Sequence, residues 1–214
     1  MAFDDFYRGI PAPLAQEIDA LSLLVYRCRT AAKALLEAEG VVELAEWYAR
    51  FPQLEPALAH EGWERYLSAA VLTTQWEQAR RQLAEKLRAA QGEMVEPTGA
   101  AILPLDAIAA YLAEADRDEL GIVEWERMLD CLRCTLRNGT TLWVRYAAPD
   151  AYSFVWQTDS DVQGRIDTAP HAQGGGNPHR HGADGSVVAD TLTSVSALPE
   201  ANFVRVVNAV YSPE

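Results

Sequence analysis

The chain has 214 residues, 49% hydrophobic and 9% aromatic, with 31 acidic against 18 Lys and Arg residues and a formal net charge of −13. That length and apolar content suit a folded globular protein of one domain or two small ones. The negative balance argues against non-specific nucleic-acid binding, which depends on cations neutralising phosphates. No apolar run approaches the roughly twenty residues of a membrane span.

The start, Met1-Ala2-Phe3-Asp4-Asp5-Phe6, is acidic and lacks the basic residues and apolar stretch of a signal peptide, so a cytoplasmic protein is expected. From Pro13 to Gly40, Leu14, Ile18, Leu21, Val25, Cys28, Ala32 and Leu35 recur at steps of three and four. This spacing predicts one long amphipathic helix over 12–39. A short helix is expected over Val42–Arg50, ended by Pro52. A second long one is expected from Gly62 to Ala90, with Trp63, Tyr66, Leu67, Ala70 and Val71 on its buried face. Residues 91–103, punctuated by Gly92, Pro97 and Gly99, read as a linker. Asp106–Ala115 reads as a short helix, and Glu124–Leu129 fits helix or strand and is read as helix.

From Cys131 the period changes to two. Strands are expected over 131–137 and 140–147 around Asn138-Gly139, a strong hairpin signal. Further strands are expected over Tyr152–Gln157 and Ser186–Val188, and Phe203–Val207 fits strand or helix. The fold class is therefore α+β: a helical N-terminal half, as a hairpin or small bundle over 1–91, followed by an antiparallel β-sheet with helical cover over 104–214.

Three of the four histidines, His171, His179 and His181, fall within eleven residues in a glycine-rich stretch, 164–182, read as an irregular loop. Imidazole titrates near neutrality, so clustered histidines suit proton transfer or metal ligation. Arg165, Arg180 and Asp167 share the stretch. Cys131 and Cys134 form a Cys-x-x-Cys, but a strand puts positions i and i+3 on opposite faces, so core filling is the better reading. Residues 131–214 carry six arginines and no lysine, which suits planar recognition of carboxylate or phosphate; a GC-rich genome explains the same bias.

Leu136-Arg137-Asn138-Gly139-Thr140-Thr141-Leu142-Trp143-Val144-Arg145 and Tyr152-Ser153-Phe154-Val155-Trp156-Gln157 resemble strands of the TumE-type toxins of prokaryotic toxin–antitoxin modules. The similarity is clearest at Arg165-Ile166-Asp167-Thr168-Ala169-Pro170-His171 and Asn177-Pro178-His179-Arg180-His181, and it covers about the last 80 residues. Thr168 stands where the family has Asn, Ala172 where it has a second His, and Arg180 where it has Lys. The resemblance implies a prokaryotic cytoplasmic protein with an antitoxin as partner.

Three functions fit these residues. The first is a metal-independent ribonuclease: His179 and His181 share the proton work, His171 stands in for either, and Asp167 orients an imidazole. Arg165, Arg180 or Arg145 then holds the phosphate. The second is a metal site, because His179 and His181 project to one side of an extended segment and Asp167 or His171 can complete it. The third is a non-enzymatic interaction subunit or regulator of a larger assembly, with a decayed toxin-like site. No cofactor is required, RNA is the candidate substrate, and no membrane partner is expected. Residues 97–130 carry a local net charge of −6, and Trp125 flanked by Glu124, Glu126 and Asp130 reads as either a charge-rimmed docking anchor or an inward-packed residue.

Overall fold

The computed structural model describes residue 7 and residues 9–54, 56–95, 99, 101–159, 161–170, 177–184 and 186–211, and of residues 56–58 and 60 the backbone alone. Helices α1 (Ala12–Ala38), α2 (Leu44–Tyr48), α3 (Pro56–Ala90) and α4 (Pro104–Glu114) come first. Seven strands follow: β1 (Ile122–Arg127), β2 (Leu132–Leu136), β3 (Thr140–Ala148), β4 (Ala151–Thr158), β5 (Asp161–Asp167), β6 (His179–Gly182) and β7 (Val187–Ala189). Helix α5 (Pro199–Val210) closes the chain, which is α+β. The strands form one antiparallel meander in sequence order, β1 to β7. Among the described residues no helix is long and apolar enough to cross a membrane.

Helices α1 and α3 form the expected hairpin, sealed where Cys28 and Ala32 meet Leu72. Helix α3 starts at Pro56 rather than Gly62. Proline is well placed in a first helical turn, and Gly62 lies inside the helix with Phe51 seated against it. The hairpin does not stand apart from the sheet. Trp63, Leu67 and Phe51 pack with Ala147, Ala151 and Ala169, and α3 runs across β3 and β4.

Two expectations are corrected here. Of residues Glu124–Leu129, read as helix in preference to strand, Glu124–Arg127 lie in strand β1, in which Trp125 pairs with Cys134 and Glu126 with Arg133. Tertiary pairing overrides local propensity at this edge, where exposed Glu124 and Glu126 discourage further strand addition. The 164–182 stretch is not one irregular loop either. Its two ends are paired strand, Arg165 opposite His181 and Asp167 opposite His179. Residues 171–176, including His171, lie outside the described residues. The ambiguous segment at 203–207 is helical, because Phe203, Val206 and Val207 recur at helical spacing and all three face the core.

Alternation divides the sheet. One face carries Leu132, Cys134, Leu142, Val144, Tyr146, Tyr152, Phe154 and Ile166, all fully or almost fully buried beneath α4 and α5. The other face carries Arg145, Ser153, Arg165, Asp167, His179 and His181 beside Trp143 and Val155. Where the sheet begins, Gly121 has a φ of +65°, and a Cβ built there would lie 2.3 Å from the ring of Tyr211. Both the left-handed backbone and the close approach require glycine. Gly121→Ala is expected to cost about 2–3 kcal/mol, from the backbone conformation and overpacking together. Urea denaturation checks this, and a loss below about 0.5 kcal/mol, ordinary for a surface change, would refute it.

Candidate metal centre on the polar face of the sheet

Strand register aligns the site. His179 lies opposite Asp167, Asp167 opposite Ser153, and Ser153 opposite Arg145, so one row crosses β6, β5, β4 and β3. The neighbouring row holds His181, Arg165 and Val155. Directly opposed residues share a face, so the pairing gathers Asp167, His179, His181 and Arg165 on the side opposite the main core.

Asp167 is fully buried at the centre. Its Oδ1 lies 2.9 Å from His179 Nε2, and its Oδ2 lies 3.5 Å from His181 Nε2. The Ala169 N–H donates to Oδ1 at 3.0 Å. The imidazoles meet edge to face, with centroids 4.7 Å apart. Burial opposes ionisation of Asp167. The His179 hydrogen bond and charge, the Ala169 N–H and the His181 charge outweigh it, and they hold the carboxyl below its usual range. One ligand atom from each of the three residues lies within 4.8 Å of the others.

A second group of charges, drawn from segments far apart in the linear sequence, adjoins this cluster. Glu64, on α3, accepts from Ser153 Oγ through Oε1 and from Arg145 Nη1 at 2.7 Å through Oε2. Arg145 Nε donates to Ser68 Oγ at 2.8 Å and stands 3.9 Å from Asp130. Arg165 Nε stands 3.9 Å from Glu64 and 4.0 Å from Asp167. Glu64 and Ser68 are four residues apart on one helix face, beside the apolar stripe of Trp63, Leu67 and Val71. That spacing was the available signal for them.

Of the six residues singled out in the histidine stretch, the structure brings together Asp167, His179, His181 and Arg165. Arg180 alternates to the opposite face, where it is exposed and stands 5.5 Å from the ring centroid of Trp156. It does not join the histidines. His171 is outside the described residues.

The remaining candidates resolve on structural grounds. Cys131 and Cys134 are both buried with free thiols. Burial pushes them up from the ordinary 9.0 to about 11 and about 12, so neither offers a thiolate at neutral pH. Trp125 packs partly buried against the main core, and Glu126 beside it pairs with Arg133 at 3.2 Å. That is the inward-packed arrangement rather than a charge-rimmed anchor. A groove of about 760 Å³ runs between α1, α3 and the β1–β2 turn; Asp130 lines it, but neither His179 nor His181 does.

Comparison with protein-family models, with curated proteins and with solved structures finds no match to this chain. The chemistry of the site is therefore read from its own atoms.

Proposed function

We propose that Asp167, His179 and His181 form a three-ligand centre for a divalent transition metal, and that the chain is a metal-dependent hydrolase of toxin-like type. The observation that carries this reading is the convergence of the Asp167 carboxylate and both imidazoles, with ligand atoms within 4.8 Å. Two histidines and one carboxylate are a recurrent donor set for zinc and for non-haem iron, and imidazole suits either ion. A three-ligand site leaves positions at which water is activated and an oxyanion polarised. The Ala169 N–H on Oδ1 is the kind of outer contact that holds a ligating carboxylate in place.

Metal-free RNA cleavage remains the second reading, favoured by the 2.9 Å contact between Asp167 and His179, which suits a carboxylate orienting a catalytic imidazole. It needs an acid and a base on opposite sides of a phosphate, whereas both Nε2 atoms here turn toward one carboxylate. The cytoplasmic setting and an antitoxin partner belong to the proposal through the resemblance alone.

Protein purified without a histidine tag is the material for the test. Near-stoichiometric metal by elemental analysis, native or after reconstitution with zinc, is the expected result. A content that stays near zero after reconstitution would end the metal reading. Cleavage of defined RNAs separates the two mechanisms: loss of cleavage in EDTA supports the metal centre, and cleavage unchanged in EDTA supports the metal-free site. Metal-free protein that also leaves RNA intact points to the interaction subunit instead.

A further inference from the structure

We infer that Arg165 is the anion-recognition residue of this site and that its ligand is a phosphodiester monoanion. The inference rests on the metal reading for its charge balance and on Arg165 for the contact itself.

Of the arginines on the polar face, Arg145 and Arg165 adjoin the histidine cluster, and they are not equivalent. Arg145, its side chain 21% exposed, is locked by hydrogen bonds to Ser68 and Glu64. Arg165, 18% exposed, makes no hydrogen bond among the described residues. Its nearest acidic oxygens, on Glu64 and Asp167, stand at 3.9 and 4.0 Å. A guanidinium carries five N–H donors in a planar fork, and a partly buried one left without acceptors is costly. Glu64 is already engaged by Ser153 and Arg145, and Asp167 by His179 and Ala169. Neither carboxylate depends on Arg165, so its fork is available to a ligand.

Charge selects the class of that ligand. Asp130, Glu64 and Asp167 supply three negative charges, and Arg145 and Arg165 two positive ones. A divalent ion on neutral imidazoles then leaves one positive charge in excess, which a monoanion neutralises. A phosphodiester carries one negative charge and two non-bridging oxygens, so one oxygen can face the Arg165 fork while another faces the triad. It also keeps an ester bond to be cleaved. A carboxylate held through both oxygens satisfies the charge but offers a hydrolase no bond to break. Arg165 lies opposite His181 in the strand register, which puts its guanidinium beside the triad.

The test uses zinc-loaded full chain and two monoanion probes. Dimethyl phosphate is followed by 31P line broadening and acetate by 1H line broadening, while zinc affinity is measured separately by calorimetry. Dimethyl phosphate should bind, and Arg165→Gln should weaken it about tenfold or more, the scale of a lost charge-assisted contact. Zinc affinity should change far less than dimethyl phosphate affinity, because Arg165 stands 4.0 Å from Asp167 and makes no hydrogen bond to any of the three ligand residues among the described residues. Arg165→Lys, which keeps the charge without the fork, should fall between. Equal binding by Arg165→Gln overturns the inference. So does binding of acetate with no binding of dimethyl phosphate. If zinc fails to bind while dimethyl phosphate still binds and still needs Arg165, the metal reading falls and the anion site stands.

Discussion

Asp167→Asn should remove most of the stabilisation by zinc and weaken zinc binding by more than about a hundredfold, the upper range for outer-shell changes in metal sites. The substitution keeps the shape of the side chain and an oxygen for the Ala169 N–H, and it removes the charge that faces both imidazoles. Native protein at a zinc concentration about a hundred times its dissociation constant should gain about 2.7 kcal/mol. The variant should gain less than about 0.5 kcal/mol under the same conditions. Without metal it should also lose about 1–3 kcal/mol, because Asp167 is fully buried and His179 loses a charge-assisted partner. Arg180→Ala is the matched control. Arg180 is exposed on the opposite face, so zinc stabilisation should survive that change intact. Thermal unfolding with and without zinc reads both variants. An Asp167→Asn protein stabilised by zinc as strongly as the native one would remove Asp167 from the ligand set.

The second large effect concerns the attachment of α3 to the sheet. Trp63→Ala is expected to cost about 3–5 kcal/mol, the range for deleting a buried large aromatic. Trp63 is 1% exposed, meets Phe51 edge to face at 5.2 Å and stacks on Tyr66 at 4.9 Å. Its Nε1 donates to the Tyr152 carbonyl at 3.4 Å, which ties α3 directly to β4. Glu64 is the next residue on that helix, so a poorly seated α3 also loosens the contacts of Glu64 with Ser153 and Arg145. Trp63→Phe keeps most of the packing and should lose substantially less. Urea unfolding measures both, and a Trp63→Ala loss below about 1 kcal/mol would show that this aromatic cluster does not hold the two layers together.

Part of the site is legible in the amino-acid sequence. Asp167, His179, His181 and Arg165 are close along the chain, and His-x-His on an extended segment shares a side by strand geometry alone. The same alternation sends Arg180, between the two histidines, to the other side, as β6 places it. The glycines and prolines of the stretch suggest irregular loop throughout, and that signal masks the alternation at its ends. Glu64, Ser68, Ser153 and Arg145 cannot be joined to the histidines in the same way. Glu64 reaches Arg145 across 81 residues and Ser153 across 89.

What the amino-acid sequence determined by itself was local: the helices α1 and α3, the Asn138-Gly139 hairpin, the strands on either side of it, and hence the α+β class. These follow from periodicity, proline and glycine placement and turn chemistry, which act within a few residues. Asn138 shows the principle, its side chain accepting the Thr140 N–H at 3.1 Å inside the turn it begins. Only the tertiary structure decided that Glu124–Leu129 contributes an edge strand, that the ends of the histidine stretch pair, and that α3 sets Glu64 beside Arg145. Each of these depends on a partner beyond the reach of local propensity, across the next turn or on another layer, and cross-strand pairing and desolvation outweigh local preference once that partner is in place.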